Sequence, residues 1–244
     1  CGHHRITGFT HVEINIGKQF KKQGDVGPPD IIADITQHIP LKDNSVDLIF
    51  SRATLEHLTY QELINHFLEC HRLIKKEGYI RMTVPDVDIM ISNYLNKNES
   101  IEEAKIDSEI SSKEHLENHT DLFIRRILYH DHYYLHNFDT LSRALTKTGF
   151  TNIKNEKPGQ TQINEVAEEL YKAEKGRDKY EIIIEAQKLD DTPNVSRYPE
   201  KKPDKLILRI LAQLFNINIS RYNKRKPAFP TRLWFLEKLR KLKL

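Results

Sequence analysis

Residues 46–84 read VDLIFSRATLEHLTYQELINHFLECHRLIKKEGYIRMTV. The first six of them, 46–51, are rich in β-formers and predict a strand. Apolar residues at helical spacing then predict a helix over about 60–74, which we expect to end at 75–78 with cations in its last turn and a glycine cap. Residues 79–84 predict the next strand. A strand, a helix and a second strand in this order predict a parallel pair joined by a crossover helix.

Two shorter strands are predicted upstream of this unit. Residues 10–15 alternate in polarity and include the acid Glu13, and residues 31–35 form a short apolar run that ends at or near Asp34. In parallel sheets ligands bind beyond the carboxyl ends of the strands. Downstream, the polar and acidic residues 97–121 indicate an inserted helix or a mobile lid.

The last part of the fold is predicted from residues 139–188. Residues 139–148 predict a helix with Asp139 as its N-cap, and residues 151–156 and 180–187 predict a closing antiparallel pair of strands. The predicted fold class is therefore α/β, a Rossmann-like, doubly wound and mostly parallel sheet with an antiparallel closing strand, followed by a basic helical C-terminal tail.

The composition excludes several protein classes. Hydrophobic residues make up 38% of the 244 and charged residues 30%, which is typical of a folded core. No apolar run approaches the ~20 residues of a membrane-spanning helix. With two cysteines, Cys1 and Cys70, the sequence offers neither a disulfide framework nor a CxxC zinc site. We expect a reducing, cytoplasmic setting.

Charge is distributed unevenly along the chain. Residues 201–244 contain 13 Lys and Arg but 2 Asp and Glu, whereas residues 1–200 contain 25 and 33. Two basic amphipathic helices are predicted in the tail, at 206–215 and 233–244. They fit an anionic membrane surface, which would place the protein at the inner membrane face, or a protein partner. No nucleic acid partner is expected, because no nucleic-acid-binding module is present. The predicted organisation is a domain over 1–188, a linker over 189–204 and a tail over 205–244.

The order of these features resembles the class I, Rossmann-like, S-adenosylmethionine-dependent methyltransferases, over roughly residues 1–188. The resemblance is strongest to small bacterial members with a "GCG" loop and an "LEHL" stretch. In that family a strand precedes the loop, so the chain is expected to lack that strand and the start of the loop. The matching stretches are Cys1-Gly2-His3-His4, His11-Val12-Glu13, Ala33-Asp34-Ile35, residues 40–49, Leu55-Glu56-His57-Leu58, residues 72–78 and Val84-Pro85-Asp86.

The resemblance implies a cofactor site for S-adenosylmethionine. Cys1 and Gly2 correspond to the loop that passes close to the amino-acid portion of the cofactor, where a residue without Cβ is needed. Glu13 corresponds to the acid that accepts hydrogen bonds from both ribose hydroxyls. The alternative for Glu13 is an ordinary surface acid at a strand end.

The same resemblance assigns four further cofactor contacts. Asp34 corresponds to the acid that accepts the adenine amino group, and Ile35 would pack on the ring; alternatively, Asp34 caps the turn before Thr36. Ser51 and Arg52 follow the next strand and are expected at the methionine end of the cofactor, with Arg52 either paired with its carboxylate or simply a surface cation.

Histidines supply most of the candidate residues for the part of the site that binds the methyl acceptor. His57 is the candidate general base, since its ordinary pKa suits proton transfer near neutral pH; alternatively, Glu56 and His57 cap and pack a helix start. In related enzymes the region around residues 129–137 overhangs the acceptor pocket. The histidines of that region match no established metal-ligand pattern, so no metal site is assigned. The predicted substrate-binding residues are His130, His132, Tyr133 and His136.

The predicted function is methyl transfer to a small-molecule or glycan-type acceptor, as in polysaccharide biosynthesis. The alternative is a non-catalytic, methyltransferase-like binding module that its basic tail recruits to a membrane surface or partner. A nicotinamide oxidoreductase is disfavoured, because the nine glycines include no GxGxxG spacing.

Overall fold

The computed structural model describes residues 5–13, 29–106, 116–128, 132–189 and 192–199. Within these ranges the chain alternates between strands and helices, and short 3-10 turns lie at Leu55–His57, Asn164–Val166 and Arg177–Lys179. The strands are β1 (Val12–Glu13), β2 (Ile31–Ile32), β3 (Val46–Arg52), β4 (Ile74–Pro85), β5 (Phe150–Asn155) and β6 (Glu181–Lys188). The helices are α1 (Tyr60–Leu73), α2 (Val87–Asn96), α3 (Ile101–Ile106), α4 (His119–Leu128), α5 (Phe138–Lys147) and α6 (Ala167–Glu174).

The strands form one two-stranded and one four-stranded sheet. β1 and β2 pair in parallel, with Glu13 opposite Ile32. The larger sheet has the order β3-β4-β6-β5, in which β3 and β4 are parallel and β6 runs antiparallel to both of its neighbours. The predicted α/β class with parallel strands and an antiparallel closing strand is therefore confirmed. The predicted basic helical tail lies outside the described residues.

In the β3–α1–β4 unit, α1 begins where it was predicted, but the connection from α1 to β4 differs from the prediction. A capping box starts α1: the Thr59 hydroxyl accepts from the Glu62 backbone, and the Glu62 carboxylate accepts from the Thr59 N–H at 2.8 Å. The predicted glycine cap is wrong, because β4 begins at Ile74 directly after the helix. Gly78 instead permits close packing: a Cβ there would lie 2.7 Å from Ile74 Cγ2 and 2.8 Å from the Asp47 carbonyl oxygen.

The N-cap of α5 also differs from the prediction. Asn137, rather than Asp139, caps the helix: its side chain accepts from the Thr140 N–H at 3.0 Å, and the Thr140 hydroxyl accepts from the Asn137 N–H. Asp139 lies in the first turn, where a negative charge interacts favourably with the helix dipole, and forms an exposed ion pair with Arg143.

Helices occupy both described parts of the predicted insertion at 97–121. α3 lies before the gap at 107–115, and α4 begins at His119. α4 packs against α2, where the Tyr94 and Phe123 rings stack with their centroids 4.7 Å apart. Arg126 of α4 also forms an ion pair with Glu99. These contacts attach α4 to α2 and to the segment that follows α2.

One face of the larger sheet forms the hydrophobic core. Alternate residues of β4 and β6 point to α1 and α5, as the period of two requires. Burial of these side chains supplies the main favourable free energy of folding. The fully buried members include Leu63, Ile64, Phe67, Ile80, Met82, Val84, Leu141, Leu145, Ile182 and Ile184.

The opposite face of the same strands buries a charged network. Arg81 of β4, with no exposed surface, lies opposite Glu185 of β6 in the strand register. Its guanidinium donates to Glu174 at 2.7 and 2.9 Å and to Glu185 at 2.9 Å. The remaining donors meet the carbonyl oxygens of Lys157 and Gln160 at 3.1 and 2.9 Å. This network attaches α6 and the loop before it to the sheet.

Part of the predicted linker packs on the domain. In residues 192–199, Arg197 donates to the buried Glu69 carboxylate at 2.8 Å, and the Tyr198 N–H donates to Asn65 at 2.8 Å. The compact unit that contains the sheets accordingly extends through Tyr198. In the parts of the chain described, no helix has both the length and the apolar character needed to cross a membrane.

Candidate active site

The carboxyl ends of β1 and β2 bring two predicted acids to one edge. Glu13 ends β1 and is half-buried, and its carbonyl accepts from the Ala33 N–H at 3.0 Å. Asp34 follows two residues beyond the end of β2. Its Oδ1 accepts from the Thr36 N–H at 3.0 Å and the Thr36 hydroxyl at 2.7 Å, so the predicted turn-capping contact forms. A carboxylate has two oxygens and about four acceptor positions, so this contact leaves Asp34 chemically able to accept further donors.

Ile35 lies in the loop after β2, and Ser51 and Arg52 are the last two residues of β3. Ile35 is half-buried, and its carbonyl oxygen lies 3.1 Å from His66 Nδ1 of α1. Ser51 is buried near the end of β3. Arg52, the last residue of β3, donates to the Ala173 carbonyl of α6 at 2.7 Å. One guanidinium nitrogen of Arg52 is thus directed to α6. Cys1 and Gly2 lie outside the described residues.

A strained connection joins β3 to the next turn. Ala53 has a φ of 47°, in the left-handed region that residues with a Cβ seldom adopt, and its N–H donates to the Thr83 carbonyl at 2.9 Å. The 3-10 turn Leu55–His57 follows at once. Backbone strain of this kind concentrates at functional sites, where the surrounding structure maintains it. The turn also lies at the carboxyl end of a parallel strand, where ligands of α/β sheets bind.

Backbone hydrogen bonds fasten residues 132–136 against this turn. The Glu56 carbonyl accepts from the N–H groups of Tyr133 and Tyr134 at 2.8 and 3.2 Å. His136 forms an isolated bridge with Asp86, and its Nε2 lies 3.4 Å from the Leu55 carbonyl oxygen. The segment predicted on the acceptor side is therefore held beside the predicted base.

These contacts assemble a cluster that no local sequence pattern reveals. The His57 and His132 rings meet edge to face with their centroids 5.3 Å apart. The buried Glu56 joins them, and one ligand-type atom from each of the three side chains lies within 4.8 Å of the others. The stretch Leu55-Glu56-His57-Leu58 signalled two members of this cluster, but the third comes from a distant part of the chain.

The other predicted acceptor residues have different surroundings. Tyr133 is exposed at the surface, at 45%, whereas His136 is 1% exposed. Burial therefore keeps His136 from direct access to solvent, and its nitrogen faces the backbone of the turn. His130 lies outside the described residues.

The buried His136 predicts a loss of stability in acid. Burial lowers its pKa to about 4, although the nearby Leu55 carbonyl acts in the opposite direction. In the unfolded chain the imidazole would bind a proton near pH 6.5, so between pH 6.5 and 4 the unfolded state binds more protons than the folded one. The free energy of unfolding should therefore decrease as the pH is lowered from 6.5 to 4. This residue contributes up to about 3 kcal/mol to that decrease.

Urea unfolding at pH 7 and at pH 4.5 measures this effect. His136→Gln should flatten part of the slope, and His38→Gln, at an exposed position, serves as its control. Some slope should persist in His136→Gln, because burial also lowers the pKa of His66. An equal slope in wild type and His136→Gln would contradict the prediction.

Comparisons with known proteins found similarity over part of the chain. A family model described as a methyltransferase domain matches residues 4–82. An uncharacterized protein of Methanocaldococcus jannaschii is 32% identical over 85 residues, which cover 35% of this chain and 34% of that protein. The chain thus spans about a third of the length of the curated relative it matches.

Solved structures that match part of the chain were also found. A SAM-dependent methyltransferase from Archaeoglobus fulgidus is 16% identical, with a TM-score of 0.42, and the match covers 72% of this chain and 74% of that one. Human N-acetylserotonin methyltransferase is 13% identical, with a TM-score of 0.42, and the match covers 72% and 39%.

Proposed function

We propose that the chain is a class I, S-adenosylmethionine-dependent methyltransferase that transfers a methyl group to an acceptor, because a family model described as a methyltransferase domain matches residues 4–82. The observation that carries the proposal is the family match itself. It spans Glu13, Asp34 and the turn Leu55–His57, which the structure places at the carboxyl ends of β1, β2 and β3.

The chemistry of these residues fits the cofactor. S-adenosylmethionine presents a ribose diol, an adenine amino group and a positively charged sulfonium. Glu13 and Asp34 are carboxylates at neighbouring strand ends, and carboxylates accept hydrogen bonds from hydroxyl and amino groups. We assign Glu13 to the ribose and Asp34 to the adenine amino group. Ile35 would pack on the adenine ring, and Ser51 would lie at the methionine end.

Direct methyl transfer requires mainly that the enzyme align the methyl donor with the acceptor. When bound, S-adenosylmethionine supplies the electrophilic methyl carbon. The chain's own residues bind the cofactor, orient the acceptor and accommodate the proton that the acceptor loses. We assign this last task to His57, beside His132 and Glu56, because this cluster presents titratable groups at the end of β3.

For the acceptor we propose a small molecule or a glycan-type compound, with a cytoplasmic role in polysaccharide biosynthesis. Support comes from the resemblance to small bacterial enzymes and from the exposed Tyr133, whose ring combines an apolar face with a polar hydroxyl. The low cysteine content supports a reducing compartment.

The basic tail at 205–244 supports a second role. We propose that it attaches the domain to an anionic membrane surface or a protein partner, since 201–244 carries 13 Lys and Arg against 2 acids. Cosedimentation of the full chain and of residues 1–200 with phosphatidylserine vesicles tests the membrane form. Failure of the full chain to sediment would refute it.

Calorimetric titration of the full chain with S-adenosylhomocysteine tests the main proposal. We expect saturable binding at one site, followed by acceptor-dependent formation of S-adenosylhomocysteine when S-adenosylmethionine is supplied with hydroxylated small molecules or glycosides. Absence of binding would overturn the proposal. Binding without turnover on any acceptor would favour the alternative, a methyltransferase-like module that has no catalytic activity.

A further inference from the structure

The cluster of Glu56, His57 and His132 has the composition of a metal site. Among the residues that the structure describes, it is the one group of at least three His, Cys, Asp or Glu side chains arranged closely enough to bind an ion. We propose that these three side chains bind one divalent transition-metal ion, of the zinc or manganese kind, at the acceptor side of the domain.

The donor set decides the kind of ion. Two imidazoles and one carboxylate suit zinc, manganese, iron and cobalt, whereas magnesium and calcium prefer a shell of oxygen atoms. Three protein ligands leave at least one coordination position open, as in catalytic rather than structural zinc sites. The cluster is therefore suited to an ion that also contacts a substrate atom.

The backbone already holds the three ligands in place. Glu56 and His57 are neighbours in the 3-10 turn after β3, and His132 precedes two residues whose N–H groups donate to the Glu56 carbonyl. The three ligand atoms lie within 4.8 Å of one another. Because ligand atoms lie ~2.0–2.2 Å from zinc, no two can exceed about 4.4 Å when the ion is bound. Small side-chain rotations would close that difference without movement of the backbone.

The burial of Glu56 is compatible with a bound cation. The residue is 2% exposed, and an ionised carboxylate that leaves water needs compensating positive charge or hydrogen bonds. A divalent ion between the carboxylate and two neutral imidazoles supplies that charge. A protonated imidazole beside Glu56 would supply it too, and the experiment below separates these two cases.

The ion also narrows the acceptor class, and this step rests on the proposed methyl transfer. A hydroxyl oxygen of the acceptor would take the open position, where the ion lowers its pKa and the proton leaves to water. The oxygen lone pair then forms the bond to the methyl carbon, while the carbon–sulfur bond breaks and its electron pair stays on sulfur. With the ion bound, His57 serves this step as a ligand rather than as the general base assigned above, and the acceptor is an oxygen nucleophile.

Metal binding can be measured without any substrate. The full chain, free of a histidine tag and treated with chelator, is titrated calorimetrically with Zn²⁺, Mn²⁺ and Mg²⁺ in separate runs. We expect one Zn²⁺ per chain, weaker Mn²⁺ binding and no Mg²⁺ binding. The Co²⁺ form should show ligand-field absorption bands typical of a site with nitrogen donors.

Variants locate the ion. His132→Asn, His57→Asn and Glu56→Gln should each weaken Zn²⁺ binding at least about 100-fold and remove the Co²⁺ bands. His38→Asn is the matched control, because His38 is an exposed histidine 3.8 Å from a carboxylate, that of Glu69, and it should bind Zn²⁺ like wild type. Circular dichroism checks that each variant is folded, and His132→Asn is the mildest change if Glu56→Gln unfolds.

Three results would overturn the site: no Zn²⁺ binding, which is expected if Glu56 pairs with a protonated imidazole; binding that the three substitutions do not weaken; or equal loss in His38→Asn. Titration with S-adenosylhomocysteine in the same samples tests the proposed function separately. Zn²⁺ binding without S-adenosylhomocysteine binding would sustain the metal site and refute the methyltransferase. The reverse result would refute the metal site alone.

Discussion

Arg81→Met is expected to lower the free energy of unfolding by about 3–5 kcal/mol, a large share of the total stability of a typical domain. The substitution removes a guanidinium with no exposed surface and leaves two buried carboxylates, Glu174 and Glu185, without their shared cation. It also removes the donors to the carbonyls of Lys157 and Gln160. Methionine fills a similar volume, so the loss reports charge and hydrogen bonding rather than a cavity.

The physical reason lies in the asymmetry of buried ion pairs. A complete buried ion pair contributes little more to stability than an apolar substitute. Removal of one partner is costly, because it leaves the remaining charges uncompensated in a medium of low dielectric constant. The backbone of the neighbouring loop adds to this cost, because Gly159 N–H and Gln162 N–H donate to the same carboxylates at 2.9 and 3.0 Å. Those carboxylates therefore cannot turn to water without breaking further hydrogen bonds.

Urea unfolding of Arg81→Met and of the control Arg143→Met measures the difference. Arg143 forms an ion pair with Asp139 whose side chains are 66% and 72% exposed, so its loss should change stability by less than about 1 kcal/mol. If Arg81→Met does not fold, Arg81→Lys keeps the charge and should fold with an intermediate loss. Equal stabilities of Arg81→Met and wild type would refute the structural role assigned to the network.

Glu13→Ala is expected to weaken binding of S-adenosylhomocysteine by at least about 100-fold. If Glu13 accepts both ribose hydroxyls, the substitution removes two hydrogen bonds to a charged acceptor, each worth about 1.5–3 kcal/mol. Glu13→Gln can still accept one of them, so it should bind with intermediate affinity. The fold should remain intact, because Glu13 is half-buried and its strand pairing uses the backbone.

Calorimetry on the three proteins and on Glu165→Ala checks this prediction. Glu165 is an exposed acid in the 3-10 turn Asn164–Val166 that the proposed cofactor site does not include, so its substitution should leave the affinity unchanged. Thermal melting of Glu13→Ala separates a lost contact from a damaged fold. Wild-type affinity in a folded Glu13→Ala would refute the ribose assignment.

Local periodicity was enough to predict most of the fold. The apolar spacing over α1 and the β-formers of β3 and β4 report which faces are buried, and this pattern is a property of the segment alone. The same holds for α5 and for the closing pair β5 and β6. The predicted end of α1 was wrong because a glycine can serve either as a helix cap or as a site of close packing. Gly78 was predicted to cap α1, but it permits the close contact between β4 and Asp47.

In the candidate site, too, some residues could be predicted from the sequence and others could not. Its acids, Glu13 and Asp34, were chosen from the sequence through the family resemblance, and in the structure they lie at and just beyond the carboxyl ends of β1 and β2. The meeting of His132 with Glu56 and His57 could not be chosen, because it depends on the path that the chain takes between α2 and α5.

What the sequence by itself determined is therefore the α/β class and the order of its elements, since short-range periodicity suffices for these, and the candidate acids Glu13 and Asp34 through the family resemblance. Only the tertiary structure decided the partners of Arg81, the burial of His136 and the Glu56–His57–His132 cluster. Each of these joins residues distant in sequence, and such contacts arise from packing and strand register, which no local pattern contains.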